Sequence, residues 1–264
     1  MDLGLKDKVF LVTGGASGIG EGISRALHEE DAIPIIVGRN QEKADRLLED
    51  LPGAYAITMD LGTPESCKSV AEQALALKGR MDGLINNAGI NDGVGLEKGS
   101  PERFLASLQT NLHHYYFLAH YLLEALKQSK GSILNISSKT ALTGQGGTSA
   151  YAAAKGAQLA LTREWAVELL PYQIRVNAIV PAEVMTPLYR SWLDSFPDPD
   201  AKQQSIEKHI PLAQRMTTSK EIADMALFLL SERAAHITGQ HLFVDGGYVH
   251  LDRALAGLNK PDNA

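Results

Sequence analysis

The sequence predicts an α/β chain built as one doubly wound domain, a seven-stranded parallel sheet with helices on both faces, over residues 1–264. Three observations carry that expectation. Short β-branched runs alternate with segments of helical period, as in successive βαβ units. The first run leads directly into a glycine-rich turn and a helix. No internal repeat or low-complexity stretch divides the chain.

The strands read, in order, VFLVT from Val9, IPIIV from Ile33, YAITM from Tyr55, DGLIN from Asp82, SILNI from Ser132, IRVNAIV from Ile174 and HLFV from His241. Start signals mark several helices between them. Thr63 then Pro64 precedes Cys67, Val70, Ala71, Ala74 and Leu75, and Ser100 then Pro101 precedes Phe104 and Leu105. Thr218 with Glu221 forms a capping box ahead of Ile222, Met225, Ala226, Leu229 and Leu230. The helices from Asn111 to Leu126 and from Tyr151 to Leu170 are apolar around most of their circumference. A sheet covers only one side of a helix, so the second apolar face predicts association with further copies of the chain. From Ser191 to Ile210, prolines and charges break the βα rhythm; this stretch reads as an inserted loop, part of a substrate lid over about 183–212.

With 44% hydrophobic and 21% charged residues, the composition is that of an ordinary soluble domain. The net charge of −6 argues against nucleic acid and anionic membrane as partners, since both would repel the chain. Cys67 is the one cysteine and cannot close an intrachain disulfide, and no leader pattern or membrane-length apolar run is present. A cytoplasmic location is expected.

The first chemical motif is VFLVTGGASGIGEG, strand, turn and helix, with Gly14, Gly18 and Gly20 in a Gly-x-x-x-Gly-x-Gly spacing. Glycines there let backbone amides and the positive helix terminus approach a pyrophosphate, which predicts a Rossmann-type dinucleotide site. The second is SAYAAAKG, where Tyr151 and Lys155 share one helix face. An ammonium beside a phenol favours phenolate and predicts a lowered Tyr151 pKa, making it a base near neutrality. Ala152, Ala153 and Ala154 are expected to leave room for cofactor and substrate. Alone, such a pair is equally a solvated i,i+4 contact.

The glycine spacing, with NNAG at Asn86 to Gly89, Asn111, NISS at Asn135 to Ser138 and the Tyr-x-x-x-Lys pair, resembles the short-chain dehydrogenase/reductase family over nearly the whole chain. The resemblance implies a catalytic set of Asn111, Ser138, Tyr151 and Lys155. Ser138 would bond the reacting oxygen, Asn111 would open its helix and hold a relay water, and Lys155 would bind the nicotinamide ribose. It implies cofactor contacts from Gly14, Ser17, Gly18, Ile19, Gly20, Asp60, Leu61, Asn87, Ala88, Gly89, Tyr151, Lys155, Pro181, Val184 and Thr186, and a homotetramer.

Gly38 ends the second strand where an acid would grip the ribose of NAD, and Arg39 follows it. With no carboxylate at Gly38 and a guanidinium for a 2′-phosphate, NADP is expected to be preferred, with NAD possible. Polar residues cluster where family members line the substrate pocket: Asn91, Asp92, Lys139, Gln145 and Glu183 beside Ser138 and Tyr151. Burying so many polar groups suits a small-molecule sugar or polyol rather than a lipid. SSKTALTGQGGTSAY, LTREWAVEL, PAEVMTPLYRSW and FVDGGYVHLDRAL resemble family members that oxidise L-fucose at its anomeric hydroxyl. A 3-oxoacyl thioester or steroid reductase, an enzyme for D-arabinose or L-galactose, and a nicotinamide-binding module without turnover are the alternatives. No metal is expected: His113, His114 and His120 lie on an apolar helix without a carboxylate partner, as core or interface histidines.

Overall fold

In the computed structural model, which describes residues 2–251, the first apolar run is strand β1 (Val9–Thr13), every residue of it buried. Around it lie β2 (Ile33–Gly38), β3 (Tyr55–Thr58), β4 (Gly83–Asn86), β5 (Ser132–Ile136), β6 (Arg175–Pro181) and β7 (His241–Val244), all parallel in the order β3-β2-β1-β4-β5-β6-β7. The expected sheet is therefore present. Met1, residues 252–264 of the expected domain, and with them the last residues of FVDGGYVHLDRAL lie outside the described residues.

The strand order reverses between β1 and β4, so the loops after these two strands diverge and leave a crevice at their carboxyl ends. At the opposite ends, the buried Asp82 carboxylate accepts the Val9 amide at 2.8 Å and the Arg80 guanidinium at 2.9 Å. The Asp82 main chain also bonds both neighbours, its amide donating to the Val9 carbonyl at 2.8 Å and its carbonyl accepting the Ser132 amide at 3.0 Å, and β4 begins one residue later than expected, at Gly83.

Helices cover both faces. On one, α3 (Pro64–Lys78), α5 (His114–Ser129) and α6 (Ser149–Glu168) bury Val70, Ala74, Leu118, Leu122 and Trp165 against Leu11, Leu84 and Ile133. On the other, α1 (Gly18–Glu29) and α9 (Ser219–Leu230) bury Ile23, Leu27, Ile222 and Ala226 against Phe10, Val12 and Ile85. Each fully buried aliphatic side chain contributes roughly 1.5–3 kcal/mol. The start signals act as read: Thr63, Ser100 and Thr218 each accept an amide of the first helical turn, and Thr218 with Glu221 closes its box.

Two expectations need correction. Asn111 does not open a helix. It sits inside a π-helical turn, Gln109–His113, that joins α4 (Pro101–Leu108) to α5 in one continuous rod. Its Nδ2 donates to the Ser107 carbonyl at 3.0 Å and its Oδ1 accepts the Ile90 amide at 2.8 Å, so both ends of the amide are used in holding the turn and the loop after β4. Second, the stretch from Ser191 to Ile210 is not irregular. It contains the end of α7 (Pro187–Leu193) and all of α8 (Pro199–Glu207). Of the two prolines that suggested a loop, Pro199 takes the first position of α8, where no amide is missed, behind Asp198 as its cap, and Pro197 stands just ahead of that cap; Pro187 opens α7 in the same way behind Thr186. Between Asn40 and β3 lies α2 (Gln41–Asp50), packed through Leu47 on Ile36.

Candidate active site

The catalytic candidates come from three elements that meet at the carboxyl side of the sheet. Ser138 follows β5 and caps a short helical turn; its Oγ accepts from the Thr140 amide at 3.3 Å and the Thr140 hydroxyl at 3.1 Å. With both lone pairs engaged, the Ser138 hydrogen is left to be donated, and Ser138 is the neighbour that pulls the Tyr151 phenol down. Tyr151 and Lys155 stand on the first turns of α6, with the Lys155 Nζ 5.4 Å from the centre of the Tyr151 ring. The lysine is nearly fully buried and donates to the Ile136 carbonyl at 2.8 Å.

The electrostatics differ from the sequence expectation. Burial pushes the Tyr151 phenol up to about 12, against the pull of the Ser138 bond, and pushes Lys155 down to about 7. The ammonium lies over the ring, and burial sets the direction of both shifts. Phenol with amine and phenolate with ammonium bind the same number of protons, so pH does not choose between those two forms. The surroundings of the oxygen and the nitrogen do. Of the three alanines between them, Ala154 is fully buried and faces the core, leaving Ala152 and Ala153 on the accessible side.

Behind the lysine lie residues that the sequence reading missed. Tyr115 donates to the same Ile136 carbonyl at 3.1 Å, with its oxygen 3.5 Å from Lys155 Nζ, and Gln158 Nε2 donates to the Asn111 main-chain carbonyl at 2.7 Å. A signal existed: Tyr115 falls four residues after Asn111, and Gln158 three after Lys155, on the same faces. His114 is buried and pushed down to about 3 by desolvation, whereas His113 and His120 are exposed.

The residues at the crevice fit a dinucleotide. Gly14 has φ +64, and a Cβ on Gly20 would overlap the Gly14 carbonyl oxygen and stand 2.6 Å from Asn87 Nδ2, so the turn closes only with glycine. Ser17 precedes α1 in extended conformation without a side-chain cap, leaving the first-turn amides to an anion, beside Gly18 and Ile19. Asn87 Nδ2 donates to the Thr13 carbonyl at 2.9 Å, and the Ala88 amide donates to Thr13 Oγ1 at 3.0 Å, which fixes the loop carrying Gly89 against β1. Arg39, with its side chain 72% exposed, pairs with Asp60 at 3.7 Å, and Leu61 packs on the core. Pro181 ends β6, Val184 turns into the core beside Thr217, and Thr186 caps α7 by accepting the Tyr189 amide at 3.1 Å.

Of the polar residues read as substrate contacts, two meet directly. Lys139 and Glu183 form an ion pair, their side chains only 10% and 12% exposed. Asn91 and Gln145 are exposed on loops that touch through Gly95 and Gly147, and the buried Asp92 Oδ1 lacks a hydrogen-bond partner among the described residues. Tyr189 completes the ion pair by donating to Glu183 Oε2 at 2.7 Å; nothing in the sequence pointed to it.

A family model described as enoyl-(acyl carrier protein) reductase matches residues 14–249. L-fucose dehydrogenase of Bos taurus is 36% identical over 241 residues, 91% of this chain and 88% of that protein. L-xylulose reductase of the same organism is 35% identical over 251 residues, 94% and 99% of the two chains. The crystal structure of the Cj0485 dehydrogenase superposes with a TM-score of 0.93 at 47% identity, covering 97% of this chain and 99% of that one. The Tyr-x-x-x-Lys helix behind a serine, the glycine turn at the crevice and these likenesses together mean that the chain belongs to the short-chain dehydrogenase/reductase family of NAD(P)-dependent oxidoreductases.

Proposed function

We propose that the chain oxidises the anomeric hydroxyl of L-fucose, or of a configurationally related aldose such as D-arabinose or L-galactose, to the lactone. The observation that carries this reading is the polar wall next to Ser138, where the paired Lys139 and Glu183 and the Tyr189 hydroxyl present polar atoms that suit the hydroxyls of a sugar better than an acyl chain or a steroid. A bound nicotinamide supplies the acceptor for the hydride that leaves C1. The residues of this chain handle the proton. Ser138 donates its hydrogen to the reacting oxygen, and the Tyr151 oxygen, as phenolate, takes the hydroxyl proton while C1 becomes the lactone carbonyl. Lys155 holds the compensating positive charge, and Tyr115 and Ile136 hold Lys155.

Arg39 with the uncharged Gly38 supports NADP as the preferred cofactor with NAD accepted, although Asp60 shares the guanidinium. The exposed Tyr116 and Val167 on α5 and α6 support a homotetramer. The single buried Cys67, whose thiol burial pushes up to about 12, accords with a reducing cytoplasm, and among the described residues no helix is long and apolar enough to cross a membrane. A second reading, reduction of a ketose, draws on the similarity to L-xylulose reductase. Absorbance of the reduced nicotinamide with L-fucose, D-arabinose, L-galactose, L-xylulose and an acetoacetyl thioester, each with NAD and NADP, decides between them. Turnover of the thioester with none of the sugars would overturn the aldose assignment.

A further inference from the structure

We propose that Lys139, Glu183 and Tyr189 are positioning residues that fasten the helical segment from Pro187 to Glu207 to the catalytic loop and thereby set the affinity for substrate. Lys139 directly follows Ser138, and Glu183 lies in the loop after β6, so the ion pair joins two loops 44 residues apart in sequence. Glu183 Oε2 accepts the Tyr189 hydroxyl at 2.7 Å, which carries the connection onto α7. The Lys139 ammonium also stands 4.0 Å over the Tyr248 ring, so the turn after β7 is included. Four chain segments thus meet on one carboxylate and one ammonium.

The position is costly. Both charges are largely desolvated, and a buried pair is a poor source of stability compared with an apolar packing of similar volume. A purely structural tie between these loops has a cheaper alternative immediately beneath, since Met185, Tyr189 and Tyr248 already pack on Leu193, Ile210 and Met216. What the pair adds is direction. It fixes where α7 stands relative to Ser138, with Trp192 edge-on to Tyr189 at 5.2 Å along the same helix. Because the two charges cancel within the wall, a substrate meets oriented dipoles and no net charge. Such a wall takes a neutral polyhydroxylated ring in preference to an anion.

The test uses the full chain. Hydrogen exchange of the cofactor-free protein reads the fastening without substrate. Glu183→Gln and Tyr189→Phe are expected to speed exchange in peptides of the Pro187 to Glu207 segment by about tenfold or more, with the strands unchanged. Steady-state kinetics with L-fucose at saturating cofactor are expected to show KM raised by about tenfold in Glu183→Gln and Lys139→Met, with kcat within about threefold, and KM largely restored in Lys139→Arg. Unchanged exchange in both Glu183→Gln and Tyr189→Phe overturns the proposal, as does a loss confined to kcat. The substrate arm rests on the aldose assignment; if the wild type turns over no sugar, that assignment fails while the exchange arm still decides the fastening.

Discussion

A phenol pushed up by burial and an amine pushed down by it are the groups on which the proposed turnover rests. Tyr151→Phe keeps the packing and removes only the proton acceptor, so it is expected to fold and bind cofactor while losing about 10²–10⁴-fold in kcat, measured by nicotinamide absorbance. Lys155 gives a stability signature. Its folded value of about 7 lies below the unfolded 10.5, so between those limits the unfolded chain binds more protons and stability rises with pH. Lys155→Met removes this contribution. Denaturant titrations between pH 7 and 10 are expected to show the wild type gaining up to about 1.4 kcal/mol per pH unit relative to the variant. Arg39→Ala is expected to lower kcat/KM with NADP by about tenfold, one lost charge-assisted contact, with little effect on NAD; an equal loss with both cofactors would deny Arg39 a part in the choice. At this scale the sequence revealed identities better than states. Residue type, spacing and the family resemblance singled out Ser138, Tyr151 and Lys155 as candidates, but the direction of a pKa depends on desolvation, which only the packed neighbours determine. For the same reason Lys139 and Glu183 read as two separate ligands rather than as partners.

Among the elements, those with local signals were legible. Thr218, Ser100 and Thr63 announced three helices because a cap is chemistry within four residues. Thr218→Ala removes the acceptor of the Glu221 amide and weakens the reciprocal bond to the Thr218 amide. It is expected to cost about 1 kcal/mol in urea unfolding with kcat/KM unaltered. The π turn at Asn111 left no such signal, since an i→i+5 bond requires no particular residue type and its cause lies outside the helix, in the Ile90 amide and the Gln158 side chain. The short helices α7 and α8 were hidden for another reason: proline breaks a helix interior yet starts a helix end, and sequence alone does not say which of these applies.

Over the whole molecule, seven β-branched runs and the glycine turn sufficed for the fold class, because a parallel sheet buried on both faces leaves little choice for such segments, whereas the strand order came only with the structure. What the chain does with its outer surface was legible only as excess apolarity. Tyr116 is 52% and Val167 68% exposed in the single chain. Val167→Glu is expected to lower the assembly state in sedimentation velocity while leaving the far-ultraviolet circular dichroism intact; an unchanged sedimentation coefficient would place the subunit contact elsewhere.

The carboxylate of Asp82 is buried at the amino ends of β1 and β4, whereas Ser138 follows the carboxyl end of β5. Robustness and reactivity are therefore housed at opposite rims of one sheet. Evolution or an engineer can retune the upper rim for a new alcohol without loosening the foundation on which all its loops stand.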